Sequence, residues 1–142
     1  MAEDQTITIE VDGRQLEAQP GQMLIEVTDA AGINVPRFCY HKHLSVAATC
    51  RMCLVEVEKA PKPLPACATP VMDGMKVYTR SPLAREAQKG TMEFLLINHP
   101  LDCPICDQGG ECELQDVPWV MVVMFRATAN ASVWYATRTS VP

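Results

Sequence analysis

Apolar and polar residues alternate from Thr6 to Val11, the period of a strand with one face buried. Asp12-Gly13 is a two-residue turn signal and Arg14 to Ala18 carries the chain back, so an N-terminal hairpin is predicted. After Pro20-Gly21 the period changes: Leu24, Val27 and Ala31 fall at helical spacing, and Gly32 suits the end of a helix over Met23 to Ala31. Alternation returns over Met52 to Glu58 and, after the Asp73-Gly74 turn, over Met75 to Tyr78. Lys59 to Pro65 is proline-rich and reads as loop. This order is that of a small mixed sheet wrapped over one helix, and the expected fold of residues 1–80 is an α+β domain of β-grasp type.

Ser81-Pro82 offers an N-cap followed by proline at the first helical position. The helix it predicts carries Leu83, Ala87, Phe94 and Ile97 along its apolar side, turns Arg85, Glu86, Lys89 and Glu93 outward, and stops at Asn98-His99 before Pro100. A loop dense in Cys, Pro and Gly follows, and together they make a second small domain, 81–116. The last segment, 117–142, holds both tryptophans, lacks Asp, Glu, Lys and Gly, and shows neither period.

Composition narrows the chemistry. A net charge of -5 over 142 residues gives no electrostatic case for a nucleic-acid partner. Aromatics make up only 6% of the chain, against seven cysteines, eight methionines and eleven prolines, so something besides aromatic packing is expected to hold it together. The first twenty residues are acidic and have no apolar run, so no secretory signal is expected and the thiols are assigned to a reducing compartment. There, spaced cysteines are metal ligands or redox groups more often than disulfides, and an odd total does not pair fully. The longest apolar run, Val117 to Phe125, contains Pro118 and falls well short of the roughly 20 residues that span a bilayer, so a soluble chain is expected.

The cysteines form two groups separated by 35 residues. Cys39, Cys50, Cys53 and Cys67 are spaced C-x10-C-x2-C-x13-C. A C-x2-C pair presents two thiolates from one tight loop, and a [2Fe–2S] cluster takes four, two per iron. The chain between Cys39 and Cys53 is polar and rich in small residues, suited to wrapping a cluster closely. Cys103, Cys106 and Cys112 are spaced C-x2-C-x5-C, and His99, four residues earlier, completes a four-ligand set. Seven cysteines and this histidine then divide into two sets of four. Gly109-Gly110, inside the second loop, permits φ > 0 and close approach of backbone to a cluster. Zinc shares the thiolate and imidazole preference and is the alternative at both sites. His41 and His43 are read as loop residues that tune exposure and hydrogen bonding, because the four cysteines around them suffice. No phosphate loop and no Ser/His/Asp set is evident, so no acid–base catalytic residue is expected.

The cysteine ladder, Arg80-Ser81-Pro82, the run from Glu93 through His99-Pro100-Leu101-Asp102-Cys103-Pro104-Ile105-Cys106-Asp107, and Gly109-Gly110-Glu111-Cys112-Glu113-Leu114-Gln115-Asp116 closely resemble the N-terminal part of the G subunit, the large iron–sulfur subunit, of NADH-quinone oxidoreductases (respiratory complex I). The resemblance covers residues 1–116. It implies a ferredoxin-like domain in which Cys39, Cys50, Cys53 and Cys67 hold one [2Fe–2S] cluster, then a small helical domain in which His99, Cys103, Cys106 and Cys112 hold one [4Fe–4S] cluster. It also implies a relay of single electrons from an NADH-oxidising flavoprotein partner toward quinone, inside a multi-subunit respiratory complex. The chain would then be a peripheral subunit on the cytoplasmic side, touching the membrane only through that complex. Related segments serve NAD-linked hydrogenases and formate dehydrogenases, the alternative setting, and a zinc-stabilised interaction module is the alternative class. After Asp116 the chain leaves the family pattern. With suitable synonymous codons, a shifted frame from residue 117 reads A-V-G-Y-G-G-D-V-S-R-Y-R-E-R-K-R, similar to the family's continuation, so residues 117–142 are expected to be out-of-frame sequence, the alternative being a genuine short form with a hydrophobic docking tail, a point that the coding DNA decides.

Overall fold

A computed structural model describes residues 6–100 and 102–117. The chain divides into two compact units between His99 and Pro100.

The first unit begins with the hairpin β1 (Ile7–Val11) and β2 (Arg14–Ala18), paired antiparallel from Ile7–Ala18 to Val11–Arg14. Both turn residues have positive φ, 49° at Asp12 and 82° at Gly13, the backbone that matches the twist of a two-residue hairpin. Ile9 and Val11 are buried and Thr8 is exposed, as the alternation requires. Helix α1 (Leu24–Ala30) buries Leu24, Ile25, Val27 and Thr28, the Thr28 hydroxyl being satisfied by donation to the Ile25 carbonyl. It ends as its sequence predicts. Gly32 adopts φ 71°, its N–H reaches the Asp29 carbonyl, and the Ile33 N–H reaches that of Thr28, the paired bonds of a glycine-terminated helix.

Three further strands, β3 (Leu54–Val57), β4 (Leu64–Pro65) and β5 (Lys76–Tyr78), complete a mixed sheet in the order β2-β1-β5-β3-β4. β5 runs parallel to β1 and antiparallel to β3, which pairs antiparallel with β4. β4 corrects the sequence reading, which assigns Lys59 to Pro65 wholly to loop. Proline is tolerated there because β4 is an edge strand and Leu54–Pro65 is a pair in which the flanking residues bond: the Ala66 N–H donates to the Cys53 carbonyl. The core is aliphatic: Ile9, Val11, Leu24, Ile25, Val35, Val55 and Val77 are completely buried. Each such side chain contributes about 1.5–3 kcal/mol.

Helix α2 (Pro82–Ile97) starts as expected, with Ser81 Oγ accepting the Ala84 N–H and Pro82 in the first turn, and it packs on β3. Its inward face is not the one expected. Ala84, Gln88 and Met92 are buried, whereas Leu83, Phe94 and Ile97 are exposed, Phe94 by 72%. The helix is rotated by about one residue, or roughly 100°, from the face its hydrophobic residues suggest. Small Ala84 allows close approach to the sheet, and Gln88 is stabilised by donating to the Leu54 carbonyl at 2.9 Å.

In the second unit, a 3-10 turn at Cys103–Ile105 leads through a turn at 107–110 to a short helix at 113–117. The segment 117–142 lies, Val117 apart, outside the described residues. No helix among the described residues is long and apolar enough to cross a membrane.

Candidate metal centre

The first cysteine group is assembled from three segments. Cys39 lies in the irregular stretch after α1 and is tethered on both sides. Arg37 is paired with Asp29 of α1 at 2.7 Å and lies over the Tyr40 ring, while the Tyr40 hydroxyl donates to Glu26 at 3.3 Å. The other oxygen of Glu26 accepts the Met23 N–H, so one carboxylate caps α1 and anchors the residue next to Cys39. Sequence reasoning missed these tethers, because nothing in residue type or spacing links positions 26, 29, 37 and 40. Burial first, then the Glu26 charge, raise the Tyr40 pKa above its ordinary value, which keeps the hydroxyl a donor.

Cys50 and Cys53 flank a sharply turned loop. Ala48 and Arg51 both sit in the left-handed region, at φ 51° and 57°, which costs about 1–2 kcal/mol each for a residue with a Cβ. This backbone turns N–H groups toward sulfur: Cys50 donates to Cys39 Sγ and Met52 to Cys50 Sγ, both at 3.4 Å. Cys53 leads into β3. Cys67 sits in a 3-10 turn, Ala66–Ala68, that follows β4 and is tied to Cys53 through the Ala66 N–H. Cys53 and Cys67 are buried, at 1% exposure each, and Cys39 and Cys50 are half-buried.

The four thiols share one electrostatic neighbourhood. Cys67 is pushed up from 9.0 to about 12, first by burial, then by its hydrogen bond with Cys53 and by the negative charges that Cys53, Cys39 and Cys50 would carry. Partial burial also raises Cys39, but hydrogen bonds from Cys50 and Thr49 together outweigh it and bring this thiol down from 9.0 to about 7. His41 and His43 are exposed and pair with each other, the His43 N–H reaching His41 Nδ1 at 3.3 Å.

Cys103 and Cys106 are exposed and Cys112 is half-buried. Their loop is held by its own backbone, with the Cys106 N–H on the Cys103 carbonyl, the Gly109 N–H on the Cys106 carbonyl, and Gln115 Oε1 accepting the Gly110 N–H. The two glycines differ in what they allow. Gly110 takes φ 93°, whereas a Cβ at Gly109 would lie 2.7 Å from the Cys103 carbonyl oxygen. His99 follows α2 as the last residue of the first unit, exposed, with its N–H on the Leu96 carbonyl, while Cys103, Cys106 and Cys112 belong to the second. Among the described residues, no three His, Cys, Asp or Glu side chains form a set around a single metal ion.

Comparison with known proteins gives two family matches in succession. Residues 4–82 match a 2Fe-2S iron-sulfur cluster binding domain, and residues 88–118 match the NADH-ubiquinone oxidoreductase-G iron-sulfur binding region. The NADH-ubiquinone oxidoreductase 75 kDa subunit of Reclinomonas americana is 57% identical over 114 residues, covering 80% of this chain and 16% of that protein. The NADH-quinone oxidoreductase G subunit of Rickettsia conorii is 56% identical over 110 residues, 78% of this chain and 16% of its own length. The chain thus spans about one sixth of the curated relatives it matches. A crystal structure of an NAD+-reducing [NiFe]-hydrogenase in the H2-reduced state aligns with a TM-score of 0.74 at 28% identity, over 81% of this chain and 48% of that one.

Proposed function

The chain belongs to the 2Fe-2S iron-sulfur cluster binding domain family, and from that premise we propose that it is a two-centre electron-relay segment of an NADH-quinone oxidoreductase. The observation that carries the reading is the succession of two iron–sulfur matches on one chain, the second to a region described by the G subunit of that enzyme. Cys39, Cys50, Cys53 and Cys67 hold a [2Fe–2S] cluster within a β-grasp module, 1–80, and His99, Cys103, Cys106 and Cys112 hold a [4Fe–4S] cluster within the module 81–116.

The first donor set suits its group. Four thiols in one neighbourhood match the two thiolates per iron that a [2Fe–2S] cluster takes, and N–H groups aimed at Cys39 and Cys50 Sγ favour thiolate over thiol. Buried Cys53 and Cys67 keep water from one side of the site, and the tethers at Arg37 and Tyr40 hold Cys39 in place. When bound, the two clusters supply one-electron steps between an NADH-oxidising flavoprotein partner and quinone. The chain associates with the membrane only through the other subunits of the complex, on its cytoplasmic side. A second reading, the electron-transfer part of an NAD+-reducing hydrogenase, is favoured by the structural likeness to such an enzyme; the higher identity to the NADH-quinone oxidoreductase subunits ranks it below the first.

The test is anaerobic iron, sulfide and zinc analysis of the reconstituted chain, with electron paramagnetic resonance (EPR) after dithionite reduction. About six iron and six sulfide per chain with two distinct signals is the expected result. Stoichiometric zinc without sulfide would overturn it. Faster reduction by the flavoprotein subunit of an NADH-quinone oxidoreductase than by that of an NAD+-reducing hydrogenase separates the two readings.

A further inference from the structure

Two side chains of α2 grip the Cys50–Cys53 loop. Thr91 Oγ1 lies 3.2 Å from the carbonyl oxygen of Arg51, the residue after Cys50, and Gln88 Nε2 donates at 2.9 Å to the carbonyl of Leu54, the residue after Cys53. Positions 88 and 91 are three apart and share one helix face. The two bonds therefore bracket Met52 and Cys53, which are 0% and 1% exposed.

Each contact meets a need of the loop. Leu54 extends β3 beyond Glu56–Tyr78, where β5 ends, so on that side the ladder offers its carbonyl no strand N–H. Gln88, itself 6% exposed, supplies one from its side chain, and this makes a polar residue stable in the middle of the buried stripe. Arg51 holds φ 57°, a conformation that persists only where its surroundings hold it. The Thr91 hydroxyl has a single proton and lies 3.0 Å from the Ala87 carbonyl as well, so it shares that proton between its own helix and the loop.

We propose that Gln88 and Thr91 are positioning residues that set the backbone of the C-x2-C loop, and through it the environment of the sulfurs of Cys50 and Cys53. The proposal rests on the reading of those cysteines as [2Fe–2S] ligands. Neither residue is a ligand. Hydrogen bonding around the sulfurs is one of the levers that set a cluster's potential, so a loop released at either carbonyl changes the spectrum and potential of this centre alone.

The test uses the full chain, reconstituted anaerobically, as wild type and as Gln88→Met, Thr91→Val and Thr91→Ser. Three properties are measured: the EPR signal of each centre, the midpoint potential of each, and the hydrogen exchange of the amides of residues 50–54. Gln88→Met and Thr91→Val are expected to shift the signal and potential of the [2Fe–2S] centre, leave the [4Fe–4S] centre unchanged, and speed exchange in the loop by about tenfold. Thr91→Ser, which keeps the hydroxyl, is expected to behave as wild type. A lower melting temperature with both signals and loop exchange unchanged would assign the two residues to packing and overturn the proposal, as would equal shifts in both centres. A wild-type chain with no [2Fe–2S] signal would sink the ligand reading instead, and loop exchange in the same samples would then decide the clamp by itself.

Discussion

The backbone N–H of Cys50 donates to the Sγ of Cys39 at 3.4 Å, across eleven positions of chain. One cysteine thus orients another. Cys39→Ala removes a proposed ligand and this acceptor together. Iron and sulfide are expected to fall from about six to about four per chain, with the first EPR signal lost and the second kept. Simultaneous loss of both signals would show that the two sites do not load independently.

His99 tests the second set. His99→Cys replaces imidazole by thiolate and is expected to retain four iron per cluster, with a lowered potential for the second centre because the added negative charge favours the oxidised form. His99→Ala is expected to lose that centre. Redox titration followed by EPR checks both, and an unchanged second signal in the alanine variant would remove His99 from the ligand set.

Gly109→Ala probes the second loop by steric means. The added Cβ would sit 2.7 Å from the Cys103 carbonyl and 3.1 Å from that of Cys106, and both neighbours are backbone, so the loop must move. A cost of about 1–3 kcal/mol is expected. It should be read as a loss of the second signal and of labile sulfide after reconstitution, with the first centre intact.

Asp12 joins the hairpin to the strand end beyond β5. It accepts the Thr79 N–H at 2.8 Å on one carboxylate oxygen and the Thr79 hydroxyl on the other, while holding φ 49° in the turn. Asp12→Ala leaves the Thr79 N–H, on a residue 5% exposed, without its acceptor. Destabilisation by about 1–3 kcal/mol is expected in urea unfolding of the reconstituted chain. Asp12→Asn, which keeps an acceptor and tolerates the left-handed backbone, is expected to lose less.

Much of the first unit is legible from local signals, for a physical reason. Asp12-Gly13 selects its turn, Gly32 ends α1, and Ser81-Pro82 starts α2 through conformational preferences and hydrogen bonds within a few residues of each other. The alternation of Ile7, Ile9 and Val11 names the buried face because a strand has only two. A helix has many faces, and here the periodicity misleads: it points Phe94 and Ile97 inward, yet both are exposed, while Gln88 is buried. Gln88 is buried where its amide reaches the Leu54 carbonyl left over where β5 ends, a feature of the assembled sheet that no window of sequence contains. β4 escapes a sequence reading for a similar reason, since Leu64 and Pro65 form a strand only by virtue of lying beside Leu54 and Val55.

The chemistry divides in the same way. By itself the sequence determined the number of thiols, their partition into two groups and the tight C-x2-C pairs, because ligand count and short spacing are properties of the covalent chain. It takes the tertiary structure to bring Cys67, fourteen residues beyond Cys53, into the electrostatic neighbourhood of the other three thiols, to tether the residues around Cys39 to Glu26 and Asp29 of α1, and to set Gln88 and Thr91 on the loop between Cys50 and Leu54. These are contacts between segments far apart in sequence. Their energies come from burial and from hydrogen bonds that exist once the sheet has formed, so residue type and spacing carry no record of them.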